Sequence, residues 1–402
     1  MRILSAITSL NPADGGPVEC VLQLQSNLTK LGHAFDVVTH DPPSVPWIRK
    51  LSFVPFCTGK SYTPGKIDPA LAGFFRQNLQ KYDAAILHGI WTFQNIAFLR
   101  AWDHQCRFGI FPHGMLDPYF IKNFPVKHIK KSIYYRSVCA PLFRKAHAVL
   151  FTCEEERRLA ATSYKPFVGR RVVVRYGIDD PPVGSPARQG SPPIGTELGL
   201  AGKDTLLYLG RIHPKKGCAM LIEAFARIAA RAPNLRLAMV GPGKTAWVRS
   251  LKQLATKLAV SDHVSWHGPI YGEGKWLVYK QASAFILPSH MENFGMAVAE
   301  ALSQGCPVLI SDKVNIFTSI ARAGAGYVEP DTLEGTAALL ERWMATPPSE
   351  RSAMSVRARR LFVDEFQAIH TAEDIIKVFQ AGDGGIGDTG ILSGSASLAA
   401  GL

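Results

Sequence analysis

Short apolar runs recur along this chain, each ended by glycine, proline or a polar turn, and segments with helical periodicity separate them. Uninterrupted apolar runs are typical of strands that are buried on both faces of a parallel sheet. The runs that we predict as strands are 2–8, 34–39, 83–87, 108–111, 148–152, 172–174, 206–209, 235–240, 264–266, 284–287, 308–310 and 326–328. Their alternation with helical segments predicts an α/β protein with parallel sheets.

The alternation starts twice, which predicts two domains. A stretch rich in proline, glycine and serine, 180–195, separates the two halves. Each half opens as strand, glycine-containing loop, helix and strand, the pattern of a Rossmann-like domain. The predicted boundaries are a first domain over 1–180, a linker over 181–200, a second domain over 201–365, a terminal helix over 366–380 and a disordered tail over 381–402.

The composition is that of a globular protein. The chain has 402 residues, of which 47% are hydrophobic. No apolar run approaches the roughly 18 residues that a membrane span needs. Seven cysteines are scattered without a Cys-x-x-Cys pair, which predicts reduced thiols and neither a disulfide framework nor a metal site. These features favour the cytoplasm as the compartment.

Positive charge is concentrated in the first half of the chain. The whole sequence carries a net charge of +13. Residues 1–180 hold 23 basic and 13 acidic residues, a net charge of +10. Such asymmetry is typical of proteins that meet nucleic acid, an anionic membrane face or a phosphorylated acceptor, and composition does not choose among them.

Basic and aromatic residues interleave between positions 120 and 136. The set is Phe120, Lys122, Phe124, Lys127, His128, Lys130, Lys131, Tyr134, Tyr135 and Arg136. Helices of this composition lie on anionic lipid, so the segment is predicted to bind the inner face of the cell membrane peripherally. The alternative is an ordinary solvated helix face.

The unit of strand, loop, helix and strand over 285–312 carries the most chemistry. Glu292 lies in its loop and Glu300 on its helix, too far apart in sequence to share one proton or one metal. Asn293 is predicted to cap the helix that begins at Met296. A helix N-terminus between two carboxylates favours phosphate, so the unit suits a sugar nucleotide, whose hydroxyl groups flank a diphosphate.

This unit resembles the retaining glycosyltransferases of family 4. The resemblance rests on Glu-x7-Glu, with Asn293-Phe294-Gly295 after the first glutamate and Ala-Leu after the second. It implies the GT-B fold, two Rossmann-like parallel-sheet domains facing an interdomain cleft. It also implies that Glu292 contacts the hydroxyls of the donor sugar, that the backbone of Asn293, Phe294 and Gly295 meets the sugar and the diphosphate, and that Glu300 binds the ribose.

Two other loops of the second half carry candidate donor contacts. Gly210 and Arg211 follow the strand 206–209, and Lys216 closes the same loop, where such cations bind phosphate. The resemblance implies a diphosphate clamp here, against the alternative of solvated loop charges. Gly243 leaves room for a ligand after the strand 235–240.

The first half contributes a glycine pair and two histidines. Gly15 and Gly16 allow a ligand to approach the backbone beside the first strand, although a plain tight turn is the alternative. In the resembled family such a pair lies near the donor phosphates and the acceptor. His88 and His113 each follow a strand, where an imidazole can bind a hydroxyl or a phosphate or can be purely structural. The resemblance favours His113, near the reacting carbon.

Three consecutive glutamates, 154–156, open a later helix, and the helix dipole explains them without any function. One departure from the resembled family also stands out. Residues 313–316 read Lys-Val-Asn-Ile where family members frequently have Gly-Gly-x-x-Glu, so sugar contacts from that loop stay open.

The expected reaction is transfer of a hexose from a UDP- or GDP-sugar, with retention, to a hydroxyl of a saccharide or lipid-linked saccharide in exopolysaccharide or lipopolysaccharide synthesis. Glu292, His113, Arg211 and Lys216 are the expected catalytic residues, and no cofactor, metal or nucleic acid is expected. A GT-B isomerase or epimerase of sugar nucleotides is the nearest alternative, and a basic nucleic-acid-binding protein is a more distant one. A nicotinamide-dependent enzyme is disfavoured, because no Gly-x-Gly-x-x-Gly follows a strand.

Overall fold

Two parallel sheets organise the chain. The computed structural model describes residues 1–59, 68–123, 125–181 and 204–381, so the expected linker and tail lie almost entirely outside the described residues. Its contacts define two units, Met1–Tyr176 together with the segment from Ala368 onwards, and Gly177–Gln367. Each unit contains one of the two sheets.

The first sheet has seven strands in the order β3-β2-β1-β4-β5-β6-β7, all parallel. The strands are β1 Arg2–Ile7, β2 Ala34–Thr39, β3 Phe56–Cys57, β4 Ala84–His88, β5 Arg107–Phe111, β6 Ala148–Phe151 and β7 Arg171–Val173. The helices of this unit up to β7 are α1 Gly16–Lys30, α2 Pro46–Arg49, α3 Pro69–Asn78, α4 Phe93–Ala101, α5 Tyr119–Asn123, α6 Pro125–Tyr134, α7 Ala140–Lys145 and α8 Glu154–Ser163. A π-helical turn, Tyr135–Cys139, joins α6 to α7.

The second sheet has six parallel strands in the order β10-β9-β8-β11-β12-β13. The strands are β8 Asp204–Leu209, β9 Leu235–Val240, β10 Val264–His267, β11 Ala284–Leu287, β12 Val308–Ser311 and β13 Gly326–Glu329. The helices are α9 Cys218–Ala229, α10 Thr245–Lys257, α11 Glu273–Gln281, α12 Met296–Ser303, α13 Phe317–Ala323, α14 Leu333–Ala345 and α15 Pro348–Glu365. Both orders are those of doubly wound Rossmann-like sheets, which confirms the predicted fold class.

The last helix, α16 Ala368–Gln380, belongs to the first unit. It packs against α1. The Arg107 guanidinium donates to the Phe379 carbonyl at 2.6 Å, so the end of α16 is bonded to the start of β5. The buried carboxylate of Asp374 accepts from Arg175 at 2.7 and 3.0 Å. These contacts make α16 a structural part of the first sheet's unit.

Candidate functional site

The order of the second sheet reverses between β8 and β11. In open α/β sheets, ligands bind where the order reverses, beside the carboxyl ends of the two central strands. The loop that follows β8 contains Arg211 and Lys216, and the loop that follows β11 contains Glu292. The fold therefore brings together two segments that the sequence identified separately.

Lys216 and Glu292 join these two loops through an ion pair between the ammonium and Oε1, with both side chains mostly buried. Ser289 Oγ lies 3.1 Å from the same Oε1 and 3.1 Å from the Lys215 carbonyl. The amide of His290 donates to that carbonyl at 2.9 Å. Because these bonds hold the carboxylate and the ammonium in place, the predicted catalytic pair is preorganised.

The backbone of Glu292 pairs with the loop in which the sequence departs from the family pattern. The Glu292 amide donates to the Lys313 carbonyl at 2.9 Å, and the Asn315 amide donates to the Glu292 carbonyl at 3.1 Å. The unusual loop therefore supports the backbone that carries the first glutamate.

Glu300 lies on α12 and is bonded to two residues of α11. Lys275 Nζ donates to Oε1 at 2.9 Å and the Tyr279 hydroxyl donates to Oε2 at 3.0 Å. Burial, with the neighbouring Glu300 charge, holds the pKa of Tyr279 well above its ordinary value, so the phenol keeps its proton. Sequence reasoning missed both partners, although Lys275 and Tyr279 are four residues apart and share a helix face.

Cations surround His213 in the loop after β8. Burial lowers the pKa of His213, and the charges of Arg211, Lys215, Lys244 and Lys216 lower it further. A positive electrostatic potential disfavours the protonated imidazole, so the four cations that lower this pKa also make the loop favourable for an anion. Arg211 is exposed, so its guanidinium is accessible to an anionic ligand.

Gly295 begins α12 with φ +85°, and a Cβ at this position would lie 2.9 Å from Val314 Cγ1. A side chain is therefore excluded both by the backbone conformation and by the packing. The prediction that Asn293 caps this helix is wrong, because the N-cap residue is Gly295. Phe294 is buried with its ring 5.6 Å from that of Phe366, so its side chain belongs to the core.

The other two glycines that the sequence identified as candidate donor contacts, Gly243 and Gly210, differ in their surroundings. Gly243 pairs with Ile212 as an isolated parallel bridge, and a Cβ there would lie 2.7 Å from Val248 Cγ2. Gly243 therefore lets the loops after β8 and β9 approach each other. Among the residues that the structure describes, none beyond the adjacent ones in sequence lies within 4 Å of a Cβ built at Gly210, which leaves open space beside Arg211.

The first unit pairs the two histidines that the sequence singled out. His88 Nδ1 and His113 Nε2 are 2.8 Å apart, and both rings stack with Phe111. Burial lowers the pKa of His113 to about 3 and holds that of His88 well below its ordinary value. Both imidazoles are therefore neutral near pH 7. His88 is buried, so of the two only His113 is partly accessible to a ligand.

Glu156 holds the turn that carries His113. Its carboxylate accepts from the Gly114 amide at 2.7 Å and from the amide and hydroxyl of Thr152 at 2.8 and 2.7 Å. His113 itself has φ +51°, a strained value for a residue with a side chain. The helix dipole alone does not explain this glutamate, which is buried and supports the strained turn.

Gly15 and Gly16 lie at the start of α1, and within the described ranges no residue beyond their neighbours in sequence comes within 4 Å of a Cβ built at either position. The Sγ of Cys20, one turn further, and one nitrogen each of His88 and His113 lie within 4.8 Å of one another. Burial raises the pKa of the Cys20 thiol to about 12. Since metal ions bind the thiolate, this geometry alone does not make the cluster a metal centre.

Two Rossmann-like sheets, with Glu292 and a cationic loop where the second sheet reverses and Glu300 on the helix that follows, are the features of the class of GT-B glycosyltransferases. The family model of glycosyl transferases group 1 matches residues 197–361, and that of glycosyltransferase family 4 matches residues 14–180. Together the two models match more than half of the chain. The chain belongs to glycosyltransferase family 4, as its motifs predicted.

Individual relatives are distant. A D-inositol 3-phosphate glycosyltransferase of Nocardia farcinica is 29% identical over 60% of this chain, and the match spans 56% of that protein's length. The α-monoglucosyldiacylglycerol synthase of Streptococcus pneumoniae is 25% identical over 91% of this chain and 83% of that protein. Anabaena HepE, solved with UDP and glucose, is similar in fold, with a TM-score of 0.72 at 18% identity over 94% of this chain and 98% of that one.

Proposed function

We propose that the protein transfers a hexose from a nucleoside diphosphate sugar, with retention at the anomeric carbon, to a hydroxyl of a saccharide or lipid-linked saccharide acceptor. The observation that carries this proposal is the Lys216–Glu292 ion pair at the point where the second sheet reverses. The bond that breaks in the donor joins the sugar to a phosphate. A cation at this position can bind the phosphate that leaves, and the carboxylate beside it can bind the sugar that is transferred.

Arg211 and Lys216 are proposed to bind the diphosphate. Departure of a nucleoside diphosphate leaves negative charge on its terminal phosphate, and fixed cations stabilise that charge in the transition state. The four cations around His213 supply the required potential. The N-terminus of α12 adds backbone amides that can donate to a phosphate oxygen.

The two glutamates are proposed to bind the two hydroxylated parts of the donor. Glu292 accepts from hydroxyls of the hexose, and Glu300 accepts from hydroxyls of the ribose. Lys275 and Tyr279 fix the Glu300 carboxylate before the donor arrives, which lowers the entropy lost on binding. The backbone of Asn293, Phe294 and Gly295 is proposed to follow the donor between the two carboxylates.

In the first unit, His113 is proposed to contact the transferred sugar, and the open backbone of Gly15 and Gly16 is proposed to contact phosphate or acceptor. A neutral imidazole can donate from one nitrogen and accept at the other. His88 occupies one of the two nitrogens of His113 and thereby fixes which nitrogen stays available.

Transfer itself tests this assignment. The assay is release of nucleoside diphosphate from UDP-, GDP- and ADP-hexoses in the presence of membrane glycolipid extract, with the anomeric configuration of the product read by NMR. Arg211→Ala and Lys216→Ala are each expected to lose roughly 100-fold or more in turnover. Lys280→Ala, which removes the same charge from an exposed position on α11, is the control. Wild-type turnover in both loop variants would refute the diphosphate assignment, and a rearranged sugar nucleotide formed without acceptor would identify an isomerase.

We also propose that α6 rests on an anionic membrane surface. Val126, Ile129 and Ile133 are 72%, 64% and 66% exposed and recur at helical spacing along one face. Lys127 and Lys130 are exposed beside them. A stripe of exposed apolar side chains flanked by lysines suits the boundary between acyl chains and anionic headgroups.

The structure changes which residues of this segment support the membrane proposal. The Tyr134 hydroxyl donates to the Thr92 carbonyl and Tyr135 is buried, so both aromatic rings face the core. Lys131 lies over the rings of Trp91 and Phe120 at 4.8 and 5.4 Å. Phe124 and the side chain of Lys122 lie outside the described part. No helix in the described residues has the length and apolar character to cross a membrane.

Vesicle sedimentation tests the membrane proposal. Replacing Val126, Ile129 and Ile133 together by serine is expected to reduce binding to anionic vesicles at least tenfold, because each buried apolar side chain contributes about 1.5–3 kcal/mol. Val356→Ser, at a position that is 71% exposed on α15, is the matched control. Equal binding by the wild type and the triple variant would refute the proposal.

A further inference from the structure

A cavity of about 460 Å³ lies behind α6 and is lined mainly by polar side chains. Arg136 and Lys165 supply two positive charges at its wall, and none of the lining residues that the structure describes is acidic. Neither cation forms an ion pair with any residue that the structure describes. Two unpaired cations in one concave site favour an anionic ligand.

His128 and Ser132 line the same cavity from α6, one helical turn apart, with Ser132 Oγ 3.3 Å from His128 Nε2. The other ring nitrogen of His128, Nδ1, is shielded from solvent and has no hydrogen-bonding partner within the described part of the chain. A buried ring nitrogen without a partner costs free energy that a bound polar group would recover. Ser163 and Tyr164 complete the opposite wall.

The cavity adjoins the exposed apolar stripe of α6. Successive helical residues are about 100° apart around the axis, which places His128 and Ser132 on the face next to that of Ile129 and Ile133. Arg136, one turn beyond Ser132, lies near the boundary between these two faces. A ligand with a phosphate and an acyl chain can therefore contact the cavity and the stripe at the same time.

We propose that this cavity binds the phosphate headgroup of a membrane lipid, with Arg136 and Lys165 as its charge partners and the α6 stripe against its acyl chains. The inference deepens the membrane part of the proposed function and does not depend on the sugar-nucleotide site. A phosphate ester without acyl chains shares the charge chemistry, so the test compares the two sources.

The test is calorimetric titration of the full chain with dihexanoyl phosphatidic acid, kept below its micelle concentration, and with glycerol 3-phosphate. The lipid is expected to bind at least about tenfold more tightly, because only the lipid contacts the stripe. Arg136→Gln/Lys165→Gln is expected to lose at least about tenfold in affinity for the lipid. Arg49→Gln/Lys50→Gln removes one arginine and one lysine from exposed positions at the end of α2, outside the cavity wall, and is expected to change the affinity less than twofold.

Three results would overturn the inference: no binding of the short lipid by the wild type, equal affinity for the lipid and for glycerol 3-phosphate, or equal losses in the two double variants. A failed transfer assay with intact lipid binding would instead refute the proposed reaction alone. The last comparison measures binding of the wild type and of Arg136→Gln/Lys165→Gln to vesicles of phosphatidylcholine with and without phosphatidic acid. Only the vesicles that contain phosphatidic acid are expected to distinguish Arg136→Gln/Lys165→Gln from the wild type.

Discussion

Glu300 can be tested for its proposed role by removing one carboxylate, whose hydrogen bonds to Lys275 and Tyr279 both reach α11. Glu300→Ala is expected to weaken nucleoside diphosphate binding by roughly 10- to 100-fold, since a hydrogen bond to a charged group contributes about 1.5–3 kcal/mol. Tyr279→Phe removes one support of the carboxylate and is expected to have a smaller effect in the same direction. Calorimetric titration measures both.

The control for this titration is Glu341→Ala, which removes an exposed carboxylate of the same unit. Donor binding should then remain within twofold of wild type. If Glu300→Ala also stays within twofold, the carboxylate does not bind the ribose.

The buried histidine pair predicts how stability depends on pH. His88 has a folded-state pKa far below the ordinary value of about 6.5. Below pH 6.5 the unfolded chain therefore binds a proton at His88, whereas the folded chain does not. The stability contributed by the neutral form is complete above pH 6.5 and is lost as the pH falls below it. Between pH 7 and pH 5 the loss is about 2 kcal/mol for one such imidazole. His113, with a pKa of about 3, adds to the same trend.

Urea unfolding at pH 7 and at pH 5 checks this expectation in the wild type and in His88→Gln. The wild type should lose more free energy of unfolding than the variant over this interval. Parallel losses in the two proteins would show that His88 is not held neutral by the fold.

The sequence identified individual residues where the adjacent residues carried the signal. Lys216 and Glu292 could be placed in loops at the carboxyl ends of strands because each loop follows a recognisable apolar strand. The contacts of Glu300 with Lys275 and of His113 with His88 each join residues 25 positions apart, which local patterns do not encode. The sequence does not show that Glu156 is buried, because an acidic residue at a helix N-terminus interacts favourably with the helix dipole whether it is solvated or buried.

Among the elements, α16 is expected to stabilise the first unit through one buried carboxylate. Asp374→Ala would leave the Arg175 guanidinium without its main partner, and removing one member of a buried pair costs about 3 kcal/mol. Glu373→Ala removes the neighbouring exposed acid, 3.4 Å from the same guanidinium, and should cost less than about 1 kcal/mol. Chemical denaturation of both variants measures the difference, and equal losses would contradict a structural role for Asp374.

Most strands could be predicted because strands buried on both faces are continuous apolar runs, and β2, β9 and β11 have the predicted bounds. The helix α15 is harder to recognise from the sequence. Four of its eighteen residues are buried and recur at helical spacing, but the apolar residues Val356 and Val363 are exposed and obscure that stripe. Its N-terminus at Pro348 was equally compatible with a turn.

For the whole molecule, the same doubly wound order in both sheets places every sequence-identified loop at the carboxyl ends of strands. Arg211, Lys216 and Glu292 share the reversal point of the second sheet, whereas His113 and the Gly15–Gly16 pair belong to the first. Charge follows the same division, because the excess of basic residues lies in the first 180 positions. The second unit is thus proposed to bind the nucleoside diphosphate sugar, and the first is proposed to contact the transferred sugar, an acceptor and a membrane.

The most direct test of the central claim is a thermal-shift screen of the full chain against UDP, GDP, ADP and NAD(P), with and without the Lys216→Ala substitution. A ligand that binds only the folded state raises its stability by about 2.7 kcal/mol at a hundredfold excess over Kd. One nucleoside diphosphate is expected to raise the Tm of the wild type and to lose most of this effect in Lys216→Ala. A shift with NAD(P) alone, or an equal shift in the variant, would contradict a nucleoside diphosphate sugar site at the reversal point of the second sheet.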